Sequence, residues 1–196
     1  MPEREATVDR ETKETQVRVE LRLDRRAAPE VDTGVGFLDH MLELFGKHAG
    51  VGLSVSAEGD VGVDDHHTVE DVGIALGQAV ERALGDRAGI VRFADAAVPM
   101  DEALARVALD FSGRGYLVFD VAFPQEKIGR FDAALVREFL QAFASNARLT
   151  LHVAVPCGDD AHHVCEAVFK ALARAVGAAT RVDPRVDGVP STKGVL

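Results

Sequence analysis

Cysteine and long apolar runs are both scarce in this sequence. Cys157 and Cys165 are its only two cysteines, and with no sign of secretion we expect them to be reduced rather than bridged. We expect Cys165 to be a small core residue. No apolar run approaches the roughly 18 residues that a membrane helix needs, and the amino terminus is charged. The sequence therefore predicts a cytoplasmic protein with no membrane partner.

Basic residues are also in deficit. The chain has 22 Lys and Arg against 32 Asp and Glu, a net charge of -10, and no run of basic residues. Phosphate backbones and anionic lipids repel such a chain, so nucleic acid is disfavoured as a partner. Basic groups that bind an anionic ligand must therefore be concentrated locally.

Histidine is the residue that the sequence concentrates. Four of its 7 histidines lie in two copies of one motif, His66-His67-Thr68-Val69-Glu70 and His162-His163-Val164-Cys165-Glu166. Each copy opens an apolar segment of helical period, which predicts that the motif begins a helix twice. A single copy would indicate solvated polar residues, but two copies favour metal binding.

On a helix, the residues of each motif point in two directions. Residues four apart share a face, so His66 lines up with Glu70 and His162 with Glu166. The second histidine of each pair, His67 or His163, points roughly 100° away. Imidazole plus carboxylate suits zinc, manganese or iron, so one helix can address two metals.

The rest of the chain contains alternating and helical segments in an order that repeats. The first half has a predicted strand at 6–12, a strictly alternating strand at 16–23, a helix at about 37–47, a strand at 53–57 and a histidine helix ending near Gly85. The second half has strands at 105–111 and 116–123, a helix at about 132–144, a strand at 149–155 and the second histidine helix. These periods predict half-buried strands and amphipathic helices.

The two halves also align residue by residue. Setting His40 against Glu138 brings Phe45 onto Phe143. We therefore predict an α+β fold built as an internally duplicated unit, strand-strand-helix-strand-helix twice, each half a sheet with helices on one face. The halves are residues 1–93 and 94–196. A pseudo-twofold, or two meeting subunits, would bring the two histidine motifs together as a paired site.

Six segments together carry a family resemblance that spans almost the whole chain. They are GVGFLDHMLELFGKHAG, DDHHTVEDVGIALG, RFADAAVPMDEAL, DFSGRGYL, HHVCEAVFKALARAV and the terminal PSTKGVL. In this order they resemble the imidazoleglycerol-phosphate dehydratases of histidine biosynthesis. The resemblance implies a hydro-lyase that converts imidazole glycerol phosphate to imidazole acetol phosphate. It also implies two Mn²⁺ ions per subunit and a homo-oligomer built from trimers, on the order of 24 subunits.

The resemblance also implies a metal-ligand set. Its members are His40, His66, His67, Glu70, Glu138, His162, His163 and Glu166. Many family members have histidine where this chain has Glu138, although glutamate is a competent ligand for manganese. We expect His66 and Glu70 to join Glu138 and His163 at one metal, and His162 and Glu166 to join His40 and His67 at the other.

Substrate contacts follow from the same resemblance. The matching residues are Glu14, Arg92, Arg114, Lys170, Ser191, Thr192 and Lys193. Arginine and lysine are both apt for phosphate. The repeat pairs Glu14 with Glu102. We expect His152 and His48 to lie outside the site.

The implied reaction needs both metal and base. A metal-bound imidazolate form of the substrate would expel the neighbouring hydroxyl, and a carboxylate would then remove a proton from the next carbon. Candidates for proton transfer are Glu14, Glu70 and Glu166. Two other functions stay open on the residues alone, a binuclear hydrolase acting on a phosphoester and a non-enzymatic metal-binding protein.

Overall fold

The computed structural model describes residues 3–196, which form ten strands and four helices. In chain order they are β1 (Glu5–Glu11), β2 (Thr15–Arg22), β3 (Glu30–Asp32), α1 (Gly36–Ala49), β4 (Gly52–Gly59), α2 (His66–Leu84), β5 (Phe93–Met100), β6 (Ala103–Asp110), β7 (Tyr116–Asp120), β8 (Lys127–Ile128), β9 (Phe131–Asp132), α3 (Leu135–Asn146), β10 (Thr150–Cys157) and α4 (Ala161–Ala179).

Each half of the chain forms one four-stranded sheet with the same topology. The strand orders are β1-β2-β4-β3 and β5-β6-β10-β7, antiparallel except where β3 joins β4 and β7 joins β10. The opening hairpins share one register, with Glu5 opposite Arg22 in the first half and Phe93 opposite Asp110 in the second. The α+β class and the internal duplication are therefore confirmed.

The element order differs from the prediction, because three strands precede α1 in the first half and five strands precede α3 in the second. The missed strands are β3, three residues long, the two-residue strands β8 and β9, and β5, whose sequence FADAAVPM is rich in alanine. Alanine has a weak preference for strands, so the sequence of β5 gives little sign of a strand. The strand is defined by its pairing with β6. It begins at Phe93, beside the predicted division of the halves, and that division stays a prediction.

Helix boundaries follow the predicted periods closely. The first histidine helix ends at Leu84, and its C-cap Gly85 has φ 57, a left-handed value that glycine adopts without strain. The exception is α3, which was predicted from about residue 132 and begins at Leu135. Residues 131 and 132 instead pair with β8 in a small hairpin.

The helices pack across the two halves. One face of α2 covers β1 and β2, and α4 likewise covers β5 and β6, while α1 packs against α4 and α2 against α3. Glycine permits one of these close approaches, because a Cβ on Gly77 would lie 2.7 Å from the carbonyl oxygen of Phe143. Helix pairing thus brings residues of the first half beside residues of the second.

The helices and the two cysteines bear on the predictions about membrane spans and disulfides. In residues 3–196, every helix is too short or too polar to cross a lipid bilayer. Cys165 is buried, Cys157 is exposed, and neither forms a disulfide. Cys165 is part of the hydrophobic core, as predicted, whereas the reduced state of both cysteines stays a prediction.

Candidate metal centre and anion cleft

Both histidine motifs lie on the first turn of a helix. Asp64 Oδ1 accepts a hydrogen bond of 2.8 Å from the backbone N–H of His66, and Asp160 Oδ1 accepts one of 2.7 Å from the N–H of His162. The aspartates satisfy N–H groups that a helix start leaves without an intrahelical partner. The predicted position of the motif is therefore confirmed in both halves.

One set of predicted metal ligands converges within the single chain. His40 Nε2 and His162 Nε2 each lie 3.0 Å from the same oxygen, Oε1 of Glu166. Among the residues described, this is the one group of three metal-binding side chains whose donor atoms fall within 4.8 Å of one another. Glu166 is only 7% exposed, so the three donors meet at a largely buried carboxylate.

Lys170 holds the other oxygen of Glu166. Its Nζ lies 2.5 Å from Glu166 Oε2 and 3.2 Å from Met100 Sδ. Burial disfavours the charged carboxylate, but the hydrogen bonds from Lys170, His40 and His162 outweigh it and lower the pKa of Glu166 to about 2. The carboxylate is thus held ionised, as a metal ligand must be.

The equivalent set in the first half is more open. His66 Nε2 and Glu70 Oε2 are 3.6 Å apart, and the Glu138 carboxylate lies 3.4 Å from Arg137 Nη1. Glu138 lies on α3, which packs against α2, just as His40 lies on α1, which packs against α4. The structure therefore places Glu138 as the counterpart of His40, as the repeat predicted, without closing the group.

The second histidine of each motif contacts different acidic partners from the first, in line with the roughly 100° between successive residues of a helix. His67 Nδ1 lies 3.0 Å from Asp60 Oδ2, a contact that raises the pKa of His67. Sequence reasoning did not identify Asp60.

Glu14 and Glu102 occupy equivalent turns, each beside the second histidine of its half. Glu14 Oε2 lies 3.9 Å from His67 Nδ1. Glu102 Oε2 accepts a hydrogen bond from His163 Nδ1 at 2.8 Å, which raises the pKa of His163 and lowers that of Glu102 to about 2. The repeat's pairing of the two glutamates therefore holds in three dimensions.

Most of the predicted substrate-binding residues line one cleft. Its volume is ≈ 790 Å³, and its walls include Arg92, Arg114, Ser191, Thr192 and Lys193. The acidic chain thus concentrates cations at one place, as anion binding requires. Glu14 and Lys170 lie elsewhere, Glu14 beside His67 and Lys170 on Glu166.

Arg92 anchors the carboxyl-terminal tail at this cleft. Its Nε donates to Asp110 Oδ1 at 2.7 Å and its Nη1 to the carbonyl oxygen of Pro190 at 2.6 Å. The guanidinium also lies 4.5 Å from the centre of the Phe93 ring. Arg92 has φ 74, a strained value for arginine.

The two remaining histidines lie outside the convergent group. His152 is exposed on β10, between Ala108 of β6 and Val118 of β7. His48 lies on the last turn of α1, where burial and the charge of Lys170 lower its pKa. That neither residue is a metal ligand stays a prediction.

Comparison with known proteins gives one consistent result. Residues 33–176 match the family model described as Imidazoleglycerol-phosphate dehydratase. The imidazoleglycerol-phosphate dehydratase of Methylorubrum populi is 58% identical over 194 residues, covering 98% of this chain and 100% of the relative.

Two solved structures extend the likeness to three dimensions. Imidazoleglycerol-phosphate dehydratase from Staphylococcus aureus is 42% identical with a TM-score of 0.84, covering 91% of this chain and 99% of that one. The IGPD structure from Pyrococcus furiosus is 37% identical with a TM-score of 0.84, covering 96% and 100%. Since sequence and fold agree over nearly the full length, the chain belongs to the imidazoleglycerol-phosphate dehydratase family.

Proposed function

We propose that this chain removes water from imidazole glycerol phosphate, the reaction for which its family is named, with a manganese ion held by His40, His162 and Glu166. The observation that carries the metal assignment is the approach of both imidazole nitrogens to one carboxylate oxygen, at 3.0 Å each. Manganese accepts oxygen and imidazole ligands of this kind. Bound there, the ion would supply Lewis acidity toward the imidazole ring of the substrate.

The protein's own side chains support this assignment in two ways. Lys170 occupies Oε2 of Glu166, so the carboxylate presents Oε1 toward the two imidazoles. His40 and His162 belong to helices that pack against each other, which keeps their rings close together, with centroids 6.1 Å apart. The three donors are therefore arranged before a metal binds, which reduces the reorganisation that binding requires.

Glu14 is our choice for the base that removes the proton. Glu166 is engaged by three partners, and Glu70 faces His66. The Glu14 side chain is 54% exposed, and within residues 3–196 its carboxylate accepts no hydrogen bond. A carboxylate that is free and close to a histidine of the motif is able to take up a proton from a bound substrate.

The cleft of Arg114 and Lys193 supports binding of the substrate phosphate. Both side chains are basic, and Ser191 and Thr192 add hydroxyl donors beside them. Arg92 is committed to Asp110 and Pro190, so its contribution is to hold the tail that bears Lys193. An anion in this cleft would gain charge-assisted hydrogen bonds.

Neighbouring subunits would complete the sites. In one chain His66, Glu70 and Glu138 do not converge, and His67 and His163 contact Asp60 and Glu102 instead of either group. We propose a second manganese ion in the first half and a cytoplasmic homo-oligomer built from trimers, on the order of 24 subunits.

The test is a turnover assay with imidazole glycerol phosphate before chelation, after chelation, and after manganese is restored. We expect activity to disappear and return, with a ketone product that retains its phosphate. Undiminished turnover by metal-free protein would exclude a metal-dependent mechanism. Release of inorganic phosphate would indicate the binuclear hydrolase instead.

Manganese binding provides a readout that does not depend on activity. We expect His162→Ala and Glu166→Gln to weaken binding at least tenfold when manganese is titrated into stripped protein. His152→Ala is the matched control, because His152 is exposed on β10 and outside the convergent group. Equal affinity in all three variants would contradict the assignment.

A further inference from the structure

A charged group is buried between α2 and the first hairpin. Asp71, only 7% exposed, follows Glu70 directly on α2. Its Oδ1 accepts hydrogen bonds from Arg10 Nε at 2.9 Å and Nη2 at 2.8 Å, and its Oδ2 accepts one from the hydroxyl of Thr15. Arg10 lies on β1 and Thr15 begins β2. The group therefore joins the helix that carries His66 and His67 to the turn between the two strands.

The duplication shows that the fold does not need this polar group. The hairpin registers match Arg10 with Val98 and Thr15 with Ala103, and the histidine motifs match Asp71 with Ala167. All three residues of the second half are buried and apolar. Because a buried ion pair is often no more stabilising than well-packed apolar residues, stability alone does not account for the polar group in the first half.

The turn that the group fastens carries Glu14. Thr12 Oγ1 accepts hydrogen bonds from the N–H groups of Glu14, at 3.1 Å, and Thr15, at 3.0 Å. The carbonyl oxygen of Glu14 accepts one of 3.1 Å from the N–H of Asp60. The backbone of Glu14 is thus held on both sides, and the side chain is directed toward His67 without being bound itself.

The equivalent turn in the second half is fastened by its own glutamate. Glu102 Oε1 accepts hydrogen bonds from the N–H groups of Asp159 and Asp160 at 3.1 and 3.0 Å, and Oε2 accepts one from His163. This carboxylate is therefore occupied in holding the turn against the start of α4. In the first half Asp71 does the fastening, which leaves the carboxylate of Glu14 free.

We propose that Asp71 is a positioning residue for the reaction: through Thr15 and Arg10 it fixes the turn between β1 and β2 on α2, and so places the Glu14 carboxylate beside His67. This inference rests on the proposed role of Glu14 as the base. A base displaced by about 1 Å can lose on the order of a hundredfold in rate, so a small movement of the turn is enough to be measured.

The main test transplants the second half's residues into the first, as the triple variant Arg10→Val, Thr15→Ala, Asp71→Ala. Because the second half packs these residues in the same positions, we expect a folded protein with parental manganese affinity. We expect kcat to fall at least tenfold with little change in KM, since the phosphate cleft is untouched. Parental kcat in a folded triple variant would overturn the inference.

Single substitutions separate positioning from packing. Thr15→Val replaces the hydroxyl with a methyl group of similar size, so we expect a lower kcat. Thr15→Ser keeps the hydroxyl, so we expect it to retain parental kcat. Glu81→Gln is the control, because it breaks a different ion pair of α2, with Arg87, away from the hairpin. We expect it to lower the melting temperature and leave kcat unchanged. If kcat falls in proportion to the loss of melting temperature in Thr15→Val, Thr15→Ser and Glu81→Gln alike, the effect is one of stability, and the positioning role is contradicted.

A double-mutant cycle with Glu14→Gln distinguishes this inference from the proposed function. If both are correct, Glu14→Gln lowers kcat strongly and Thr15→Val lowers it no further, because the base is already absent. Parental kcat in Glu14→Gln would refute the role of Glu14. A strong loss in Glu14→Gln with an equal further loss from Thr15→Val would refute the positioning role alone.

Discussion

Truncation after Pro190 should separate substrate binding from every other property of the protein. The removed residues 191–196 are exposed or half-buried, so their loss exposes little apolar surface, and the melting temperature should hardly change. The carbonyl oxygen of Pro190 remains to accept the 2.6 Å hydrogen bond from Arg92. Metal content and assembly should also stay parental, because no predicted metal ligand lies in the tail.

The expected loss is in KM. Truncation removes Lys193 from the wall of the cleft that Arg92 and Arg114 share. A hydrogen bond to a charged group contributes about 1.5–3 kcal/mol, which corresponds to roughly a ten- to hundredfold change in affinity. Since phosphate binding is common to substrate and transition state, KM should rise while kcat changes little.

Steady-state kinetics with imidazole glycerol phosphate would measure this loss, with Lys193→Ala as the single-residue equivalent. Arg185→Ala is the matched control, because it removes a cation of the same terminal segment that contacts Asp183 and lies outside the cleft. Inorganic phosphate should also inhibit the parent more strongly than Lys193→Ala. Unchanged KM and kcat in the truncated protein would refute the phosphate role of the tail.

Three further predictions concern the metal ligands, the assembly and the helix packing. Glu138→His should keep much of the activity and Glu138→Ala should lose most of it, because histidine preserves coordination; equal activity of Glu138→Ala and the parent would exclude Glu138 as a ligand. Metal-stripped protein should elute as smaller species in size-exclusion chromatography if subunits share the metal sites, whereas one unchanged size would argue against shared sites. Gly77→Ala should destabilise by about 1–3 kcal/mol, measured by chemical denaturation, because its Cβ would lie 2.7 Å from the Phe143 oxygen. Gly62→Ala, where a Cβ meets nothing within 4 Å, should cost far less, and equal losses would show that helix contact is not the cause.

Much of the fold could be predicted because its elements carry local signals. The apolar periods after His66 and His162 and the alternation of residues 16–23 depend on neighbours in the chain, and the helices and strands appear where these periods lie. The strand β3 and the hairpin of β8 and β9 were missed because they are two or three residues long. Segments this short contain too few residues to show a period, and pairing alone defines them.

The candidate site also has some features that the sequence predicts and others that depend on the packing of the helices. The sequence by itself determined that His162 and Glu166 share a helix face, because four residues are close to one helical turn. It also indicated through the repeat that His40 and Glu138 are counterparts. Only the tertiary structure decided that His40 meets Glu166 across a separation of 126 residues, because that distance depends on how α1 packs against α4.

The group of Arg10, Thr15 and Asp71 could not be predicted from the sequence and is defined only by the tertiary structure. Asp71 stands between Glu70 and the apolar residues that continue α2, with no local sign of its partners. The two side chains that donate hydrogen bonds to it lie 61 and 56 residues away in the sequence. They meet Asp71 only because α2 packs onto the first hairpin. Local periods determine which residues face the core, whereas packing between elements determines which polar groups meet there, since a buried charge is tolerated only where the fold supplies its partner.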